Sequence, residues 1–402
     1  MNKLAINGGT PVFQPGELAK YVPAWPPVYP ETDQKLLEVY HSGKWGMCGP
    51  YEKLLMDEFA AFQDAKYSVW MCNGTTTLEC ALLALGVGPG DEVIVPGVTW
   101  IATAEAAIYV GATPVIVDID PETLCLDPAK FEEAITPRTK AVIPVHLYSA
   151  LADMDKINAI AQKHGIHVVE DCAHAHGAKQ HGKGAGSLSE YGSFSFQLSK
   201  LMTAGEGGCL TTNDERLADL AFRTSHIGNS KLFPKEPLQT GLECHQYRFT
   251  EFQAAIIYDQ LHHQEEIRAR HQAGVRIICE ALTDVPVLQM QKSSYEDDLR
   301  DYYFLSFLLQ KEYLKEGIDR QWIFRALGEE GISLGPGWGS PLYKSPAWNI
   351  PENRFIKKDT AVCEDVMYNR LMAILHNVLL AEPAVLTRWA EALRKVMLVV
   401  MK

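Results

Sequence analysis

Short apolar runs alternate with helix-like stretches from residue 67 to residue 212. The runs are rich in β-branched and aromatic residues and are bounded by polar, glycine or proline positions, which is typical of strands. They predict strands over Tyr67–Cys72, Glu92–Pro96, Thr113–Val117, Ala141–Val145, His167–Glu170, Gly192–Phe196 and Cys209–Thr212. The stretches between them predict helices over Thr76–Leu85, Ala102–Tyr109, Asp127–Ile135 and Met154–His164. This alternation predicts an α/β fold whose mostly parallel, seven-stranded sheet is flanked by helices.

The pattern changes near residue 250. A long helix-like stretch rich in Gln, His and Glu covers Thr250–Arg270, and a C-terminal helix is predicted over Ala384–Val396. Between them lie a short mixed set of strands and helices and, over Asn349–Lys358, a predicted loop. With 402 residues, the chain has about twice the length of a typical domain. We therefore expect a large α/β domain over residues 1–260 and a smaller C-terminal α/β domain over residues 261–402.

The composition excludes several classes of partner. A net charge of −13 argues against nucleic acid, because nothing would offset the repulsion from phosphates. No apolar run is long enough to cross a membrane, and the N-terminal residues lack the apolar stretch of a signal peptide. Nine cysteines without a CxxC pair are typical of reduced thiols. We therefore expect a cytoplasmic protein with no nucleic-acid or membrane partner.

Lys200 follows a predicted strand inside a Ser- and Gly-rich segment, Ser193–Lys200, which continues to Gly205–Gly208. A lysine at a strand end can project its amine into a cleft. Desolvation there lowers the pKa of the amine and makes it a nucleophile toward an aldehyde. Taken alone, such a lysine is more often a surface residue, and glycine-rich loops are common.

Three further signals precede Lys200. The segment Asn73–Thr77 opens a helix whose free amides and hydroxyls can hold a phosphate, and Trp100 follows a strand end, where it can stack on a flat ring. Asp171 ends a strand and suits the protonated nitrogen of pyridoxal 5′-phosphate (PLP). Each has an ordinary alternative: plain helix capping, a core tryptophan, and a cap or structural ion pair. Their order along one chain, with no P-loop or GxGxxG pattern, favours a PLP site.

Three histidines, His174, His176 and His181, are spaced closely enough to suggest a metal site. The first two alternate along the chain, and the pattern fixes no third ligand. We therefore predict no metal.

At these residues the sequence resembles the DegT/StrS family of PLP-dependent sugar aminotransferases, which have the type I fold of aspartate aminotransferase. The resemblance runs from Gly43 to about Pro383, and its specific stretches are Asn73-Gly74-Thr75, Gly88–Pro96, Val169–Ala178 and Ser195–Gly208. Two subgroups are most similar. Ile143–Tyr148 with Met154-Asp155 resembles the glutamine-dependent scyllo-inosose aminotransferases. Ala173–Gly177 and Lys200–Gly208 resemble the 3-amino-5-hydroxybenzoate synthases.

The resemblance implies a role for each residue. Lys200 would carry PLP as a Schiff base and move the proton, and Asp171 would pair with the pyridinium nitrogen. The other cofactor contacts would be Trp100 on the ring, His174 at the ring hydroxyl, and Gly74, the amides of Thr75 and Thr76 and the Ser195 hydroxyl at the phosphate. Gln246 stands where relatives have an asparagine that reaches the phosphate of the neighbouring subunit's PLP, which implies a homodimer with shared sites. Arg248 for a donor carboxylate, with Tyr148 and His376 for ring hydroxyls, would bind the substrates.

The implied reaction is transfer of an amino group from glutamine or glutamate to a keto-sugar or keto-cyclitol, in amino-sugar or aminocyclitol antibiotic biosynthesis. Dehydratases of the family have a histidine at the lysine position, so Lys200 favours transfer. A synthase of the aminohydroxybenzoate type keeps the lysine but eliminates water and aromatises its substrate, and it stays open as an alternative. A PLP-binding regulatory protein is the remote alternative.

Overall fold

The computed structural model describes residues 3–229 and 241–402. Its strands are β1 (Tyr67–Met71), β2 (Glu92–Pro96), β3 (Thr113–Val117), β4 (Thr139–Val142), β5 (His167–Asp171), β6 (Lys179–Gln180), β7 (Lys183–Gly184), β8 (Tyr191–Ser195), β9 (Gly208–Thr212), β10 (Leu288–Met290), β11 (Phe304–Leu309), β12 (Ile356–Lys357) and β13 (Leu371–Leu375). Its α-helices are α1 (Pro30–Ser42), α2 (Pro50–Phe62), α3 (Gly74–Ala84), α4 (Ala102–Tyr109), α5 (Pro128–Ala134), α6 (Met154–His164), α7 (Glu215–Ser225), α8 (Glu251–Glu280), α9 (Arg320–Glu329), α10 (Ala361–Asp365) and α11 (Pro383–Val400).

The main sheet has the strand order β1-β9-β8-β5-β4-β2-β3-β12. Strand β9 runs antiparallel to both of its neighbours, and every other pair is parallel. The carboxyl ends of β1, β2, β5 and β8 therefore lie at one edge of the sheet, which is where open α/β sheets bind their ligands. The α/β fold with a mostly parallel sheet flanked by helices is confirmed.

All seven predicted strands are present, and β2 and β3 have the predicted bounds. The sequence predicts seven strands and a loop over Asn349–Lys358. The strand count and the end of that loop are wrong. Within that stretch, Ile356 and Lys357 pair in parallel with Val115 and Ile116 and add an eighth strand at the sheet edge. A strand of two residues has no periodicity of its own, so the sequence gives no signal for it.

A second, antiparallel sheet of order β10-β11-β13 packs with α9 and α11 in a separate apolar cluster. Helix α8 contributes to both cores: Ala254 and Ile257 pack with the main sheet, and Val275 and Ile278 pack with the second. Leu4 and Phe13 also belong to the second core. We keep the division at residue 260 as a proposal and assign these two N-terminal residues to the smaller unit.

Helix α8 has 30 residues and continues ten residues past the predicted end at Arg270. It begins with a capping box, in which the Thr250 side chain accepts from the Gln253 amide and the Gln253 side chain accepts from the Thr250 amide. In the described ranges no helix combines the length and the apolar character needed to span a membrane.

Candidate active site

A cleft of about 740 Å³ opens at the edge where the parallel strands end. Its lining includes eight of the nine residues that the sequence predicts for the cofactor: Gly74, Thr75, Thr76, Trp100, Asp171, His174, Ser195 and Lys200. They come from four different strand ends or the loops that follow them. The topology of the sheet therefore brings together residues that are spread over more than a hundred positions of sequence.

Asp171 lies at the end of β5 and is 6% exposed. One carboxylate oxygen accepts from the Thr103 hydroxyl at 2.8 Å, and the other accepts from the Ala173 amide at 3.2 Å. Burial raises the pKa of Asp171, while these two donors and the nearby Lys200 amine oppose the rise. Both oxygens are thus fixed in orientation before a cation such as a pyridinium approaches.

Lys200 lies five residues beyond the end of β8. Its side chain lines the same cleft as Asp171. Burial lowers the pKa of the Lys200 amine to about 8, although the Asp171 carboxylate acts in the opposite direction. A fraction of the amine is therefore neutral and nucleophilic near neutral pH. The amine lies 4.7 Å from the ring centroid of Tyr303, and the Lys200 carbonyl accepts from the Trp25 indole at 3.1 Å.

His174 is a neutral hydrogen-bond donor in the wall of the cleft. Its Nδ1 accepts from the Tyr148 amide at 3.1 Å, so the proton of the neutral ring lies on Nε2. Burial holds the pKa of His174 well below its usual range. The ring stacks on Tyr303 with centroids 4.0 Å apart, and the indole of Trp338 lies 5.4 Å away.

The N-terminus of α3 forms one end of the cleft. A Cβ atom at Gly74 would lie 2.6 Å from Cβ of Ser195, so only glycine allows the helix to start this close to the serine. The side-chain oxygen of Asn73 accepts from the Thr76 amide at 2.9 Å. Within the described residues neither the Gly74 amide nor the Thr75 amide has a protein acceptor, so both can donate to a phosphate, while the cap already occupies the amide of Thr76.

Trp100 follows β2 at the mouth of the cleft and is 52% exposed. Its ring centroid lies 6.3 Å from that of Trp338. Because about half of the side chain is exposed and it lines the cleft, the indole is available to stack on a planar ligand.

The predicted substrate residues lie outside the lining of this cleft. Among the described residues, Arg248 Nε and His376 Nδ1 are buried without a hydrogen-bond partner. The Tyr148 hydroxyl is fully buried against the Trp338 backbone. The other ring nitrogen of His376 contacts the Ser199 carbonyl at 3.1 Å. Gln246 is exposed and forms a backbone bridge with His226, also away from the cleft of its own chain.

Among the described residues one buried group, His146, Glu170 and Cys172, has the spacing of metal ligands. The Glu170 carboxylate accepts from His146 Nε2 at 3.0 Å and also from the Gly186 and Leu188 amides. His146 Nδ1 accepts from the Ala152 amide. Since the histidine and the carboxylate are both occupied by protein donors and acceptors, this group is a structural network.

Sequence reasoning missed Thr103, Tyr303 and Trp338, all of which line the cleft. Thr103 is the second residue of α4, and no local motif marks it. Tyr303 and Trp338 come from the smaller unit, and only the packing of that unit against the main sheet brings them to the site.

The comparisons with known proteins agree with this geometry. A sequence model of the DegT/DnrJ/EryC1/StrS aminotransferase family matches residues 28–385. An L-glutamine:2-deoxy-scyllo-inosose aminotransferase of Micromonospora echinospora is 42% identical over 319 residues, 75% of this chain and 74% of that protein. The enzyme of the same name from Streptoalloteichus tenebrarius is 37% identical over 98% of this chain and 97% of its own length.

Two solved structures extend the comparison to the fold. A 3-amino-5-hydroxybenzoic acid synthase is 31% identical and superposes with a TM-score of 0.81 over 93% of this chain and 98% of that chain. An aminotransferase from Psychrobacter cryohalolentis is 30% identical, with a TM-score of 0.85 over 94% of this chain and 99% of that chain. The match spans the sheet, the cleft and the smaller unit alike, and this chain belongs to the DegT/DnrJ/EryC1/StrS family of PLP-dependent aminotransferases.

Proposed function

We propose that this protein transfers an amino group from glutamine or glutamate to a keto-cyclitol or keto-sugar in aminocyclitol or amino-sugar biosynthesis. The observation that carries the proposal is the position of the Lys200 amine and the Asp171 carboxylate in one buried cleft. The relatives named L-glutamine:2-deoxy-scyllo-inosose aminotransferases support the choice of donor and acceptor. A cytoplasmic location is part of the proposal, and it is supported by nine cysteines that are all free thiols.

The cleft meets the three chemical requirements of PLP. The pyridinium nitrogen needs an anionic partner, which Asp171 supplies with both oxygens already oriented. The phosphate needs donors without other acceptors, and the Thr75 amide at a helix N-terminus and the Ser195 hydroxyl are such donors. The aldehyde needs a neutral amine, which is Lys200. When bound, PLP supplies an electron sink for the charge that develops on the substrate carbon.

Lys200 is suited to take up and return a proton at its Nζ atom. A general acid and base works best with a pKa near the operating pH, and burial brings the pKa of Lys200 to about 8. The Tyr303 ring beside the amine limits the directions in which it can move. His174 adds a neutral Nε2–H donor whose orientation is fixed by the Tyr148 amide.

The proposed reaction also needs groups that bind the two substrates. We propose that Arg248 holds the donor carboxylate and that the Tyr148 hydroxyl meets a hydroxyl of the acceptor ring. The buried Arg248 Nε has no partner among the described residues, and Tyr148 lies beside His174 of the cleft wall, with ring centroids 6.0 Å apart, which supports the two contacts. The smaller unit covers Tyr148 with Trp338, whose ring centroid is 5.2 Å away. His376, the third residue predicted for the substrates, contacts the Ser199 carbonyl instead.

We infer a homodimer in which each subunit completes the site of the other. Gln246 is exposed and outside the cleft of its own chain, as expected of a residue that serves a neighbouring site. Two-fold symmetry then gives two equivalent sites.

A spectral experiment tests the reaction. Adding L-glutamine or L-glutamate to the PLP-loaded protein should abolish the visible band of the cofactor and release the keto acid in stoichiometric amount. Scyllo-inosose, its 2-deoxy form and nucleotide-linked keto-sugars are then added in turn, and the true acceptor restores the band. A protein that PLP does not colour, or whose band responds to neither donor, contradicts the proposal.

The second candidate is a synthase that dehydrates and aromatises an aminodehydroquinate. It is favoured by the 31% identity and the TM-score of 0.81 with the 3-amino-5-hydroxybenzoic acid synthase. The same protein preparation separates the two candidates, because the synthase yields an aromatic product from the aminodehydroquinate without a keto acid.

A further inference from the structure

His376 contacts the backbone next to Lys200. The Ser199 carbonyl can only accept, and it contacts His376 Nε2 at 3.1 Å, so His376 carries its proton on that nitrogen. His376 is completely buried, and burial lowers its pKa to about 3. The ring is therefore a neutral, permanently oriented donor to the carbonyl next to Lys200.

Behind His376 lies a second buried histidine, which is hydrogen-bonded to a carboxylate. The ring of His271, from α8, lies edge-on to His376 with centroids 5.5 Å apart. His271 Nδ1 lies 2.8 Å from one oxygen of Asp301, and the Gln264 amide donates to the other at 3.0 Å. Burial acts to raise the pKa of Asp301, but the charge and hydrogen bond of His271 outweigh it and hold that pKa below its usual range.

Tyr303, two residues after Asp301, also contacts Ser199. The Tyr303 hydroxyl lies 2.8 Å from the Ser199 hydroxyl, and the Tyr303 carbonyl accepts from the His376 amide at 3.1 Å. Asp301 accepts from the Tyr302 amide at 2.8 Å. The smaller unit thus holds the loop through hydrogen bonds from Tyr303 and His376, and Asp301 and His271 lie behind His376 across an edge-on ring contact.

Packing alone does not account for these histidines. Among the residues that the structure describes, His271 Nε2 and His376 Nδ1 are buried without a partner, and a buried unsatisfied polar atom costs about 1–3 kcal/mol. An aliphatic side chain would fill the same space without that cost. The hydrogen bonds of the other two ring nitrogens therefore explain why histidines occupy these positions: His271 Nδ1 pairs with Asp301, and His376 Nε2 with Ser199.

We propose that Asp301, His271 and His376 form a positioning chain that fixes the Ser199–Lys200 peptide and thereby aims the Lys200 amine into the cleft. The chain does not touch substrate or cofactor; it acts through the backbone of Lys200. Its effect on the amine exists without any ligand, and it does not depend on which ketone the enzyme aminates.

Amide side chains test this arrangement because they imitate different ring nitrogens. A glutamine amide reaches about as far as Nε2 and an asparagine amide about as far as Nδ1. His376→Gln keeps the donor to Ser199, and His376→Asn loses it. At position 271 the order reverses: His271→Asn keeps the donor to Asp301, and His271→Gln loses it. A role in packing alone would rank the two amides by size in the same order at both positions.

The readout is the pKa of the Lys200 amine in the cofactor-free protein, measured by competitive acetylation and mass spectrometry over a range of pH. Asp171, His174 and His176 also lie near enough to interact with this amine, and all the variants keep these three residues. We expect His376→Asn and His271→Gln to raise the pKa of Lys200 from about 8 toward the ordinary value for lysine. The turnover number of the PLP-loaded enzyme should fall with it, about tenfold to a hundredfold, with KM for the donor little changed.

The rescue variants His376→Gln and His271→Asn should keep the Lys200 pKa close to that of the parent protein. If the two asparagine variants behave alike and the two glutamine variants behave alike, the proposal is overturned. Circular dichroism and thermal unfolding establish that each variant is folded. Should a histidine variant fail to fold, Asp301→Asn provides the second test, and a folded Asp301→Asn protein with an unchanged Lys200 pKa contradicts the proposal. Acetylation needs no substrate, so this result is separate from the test of aminotransferase activity.

Discussion

The Thr103 hydroxyl donates to the Asp171 carboxylate at 2.8 Å, and Thr103 itself is joined to the Thr99 hydroxyl at the same distance. We expect Thr103→Val to lower kcat/KM for the amino donor about tenfold, because a hydrogen bond to a charged group contributes about 1.5–3 kcal/mol. Thr103→Ser keeps the hydroxyl and serves as the control. A Thr103→Val enzyme with the kinetics of the Thr103→Ser enzyme would show that Asp171 needs no such support.

The uptake of PLP by the cofactor-free protein should follow the neutral fraction of Lys200. With a pKa of about 8, the rate should rise about tenfold per pH unit below that value and level off above it. Stopped-flow absorbance measures the rate, and borohydride reduction followed by mass spectrometry locates the label. Lys200→Arg is the control, because it keeps the positive charge but cannot attach the aldehyde. A midpoint near that of a free lysine would contradict a buried amine.

Gln246 can be assigned to the neighbouring site by mixing two inactive variants. In a mixed dimer of Lys200→Ala and Gln246→Ala subunits, one site combines a natural Lys200 with the natural Gln246 of the other subunit. We expect PLP affinity and activity to return in that mixture, to about half of the parent level at most. If Gln246 served the site of its own chain, the mixture would stay as inactive as its components.

His176 should make the folded protein sensitive to acid. The ring is fully buried beside Phe194 and Phe196, and burial lowers its pKa to about 3. Since the unfolded chain binds a proton at about pH 6.5 and the folded chain does not, the contribution of His176 to stability is lost as the pH falls below that value.

His176→Phe removes this titration and keeps an aromatic ring. The free energy of unfolding in urea should then fall by about 1 kcal/mol less between about pH 6 and pH 5 than in the parent protein. Equal losses for both proteins would mean that His176 is accessible to protons in the folded state.

The sequence predicted the local parts of this site because their signals are local. Lys200 and Asp171 each follow a run of apolar residues, and a strand end is where an α/β sheet places its chemistry. Thr76 shows the limit of such reasoning: the sequence predicts a helix start, but which amide the Asn73 side chain occupies depends on rotamers. Tyr303 could not be found, because its place beside Lys200 depends on how two cores pack.

The contacts of the smaller unit with the loop of Lys200 have a consequence for folding during synthesis. Ser199 meets Tyr303 and His376 across 104 and 177 positions of sequence. A ribosome synthesises the main sheet and the lysine long before it reaches either partner, and domains generally fold as they emerge. In the nascent chain Lys200 therefore lies in a loop that neither Tyr303 nor His376 yet contacts. The last quarter of the protein adds no strand to the main sheet beyond Ile356–Lys357. It supplies instead the contacts that hold the loop of Lys200.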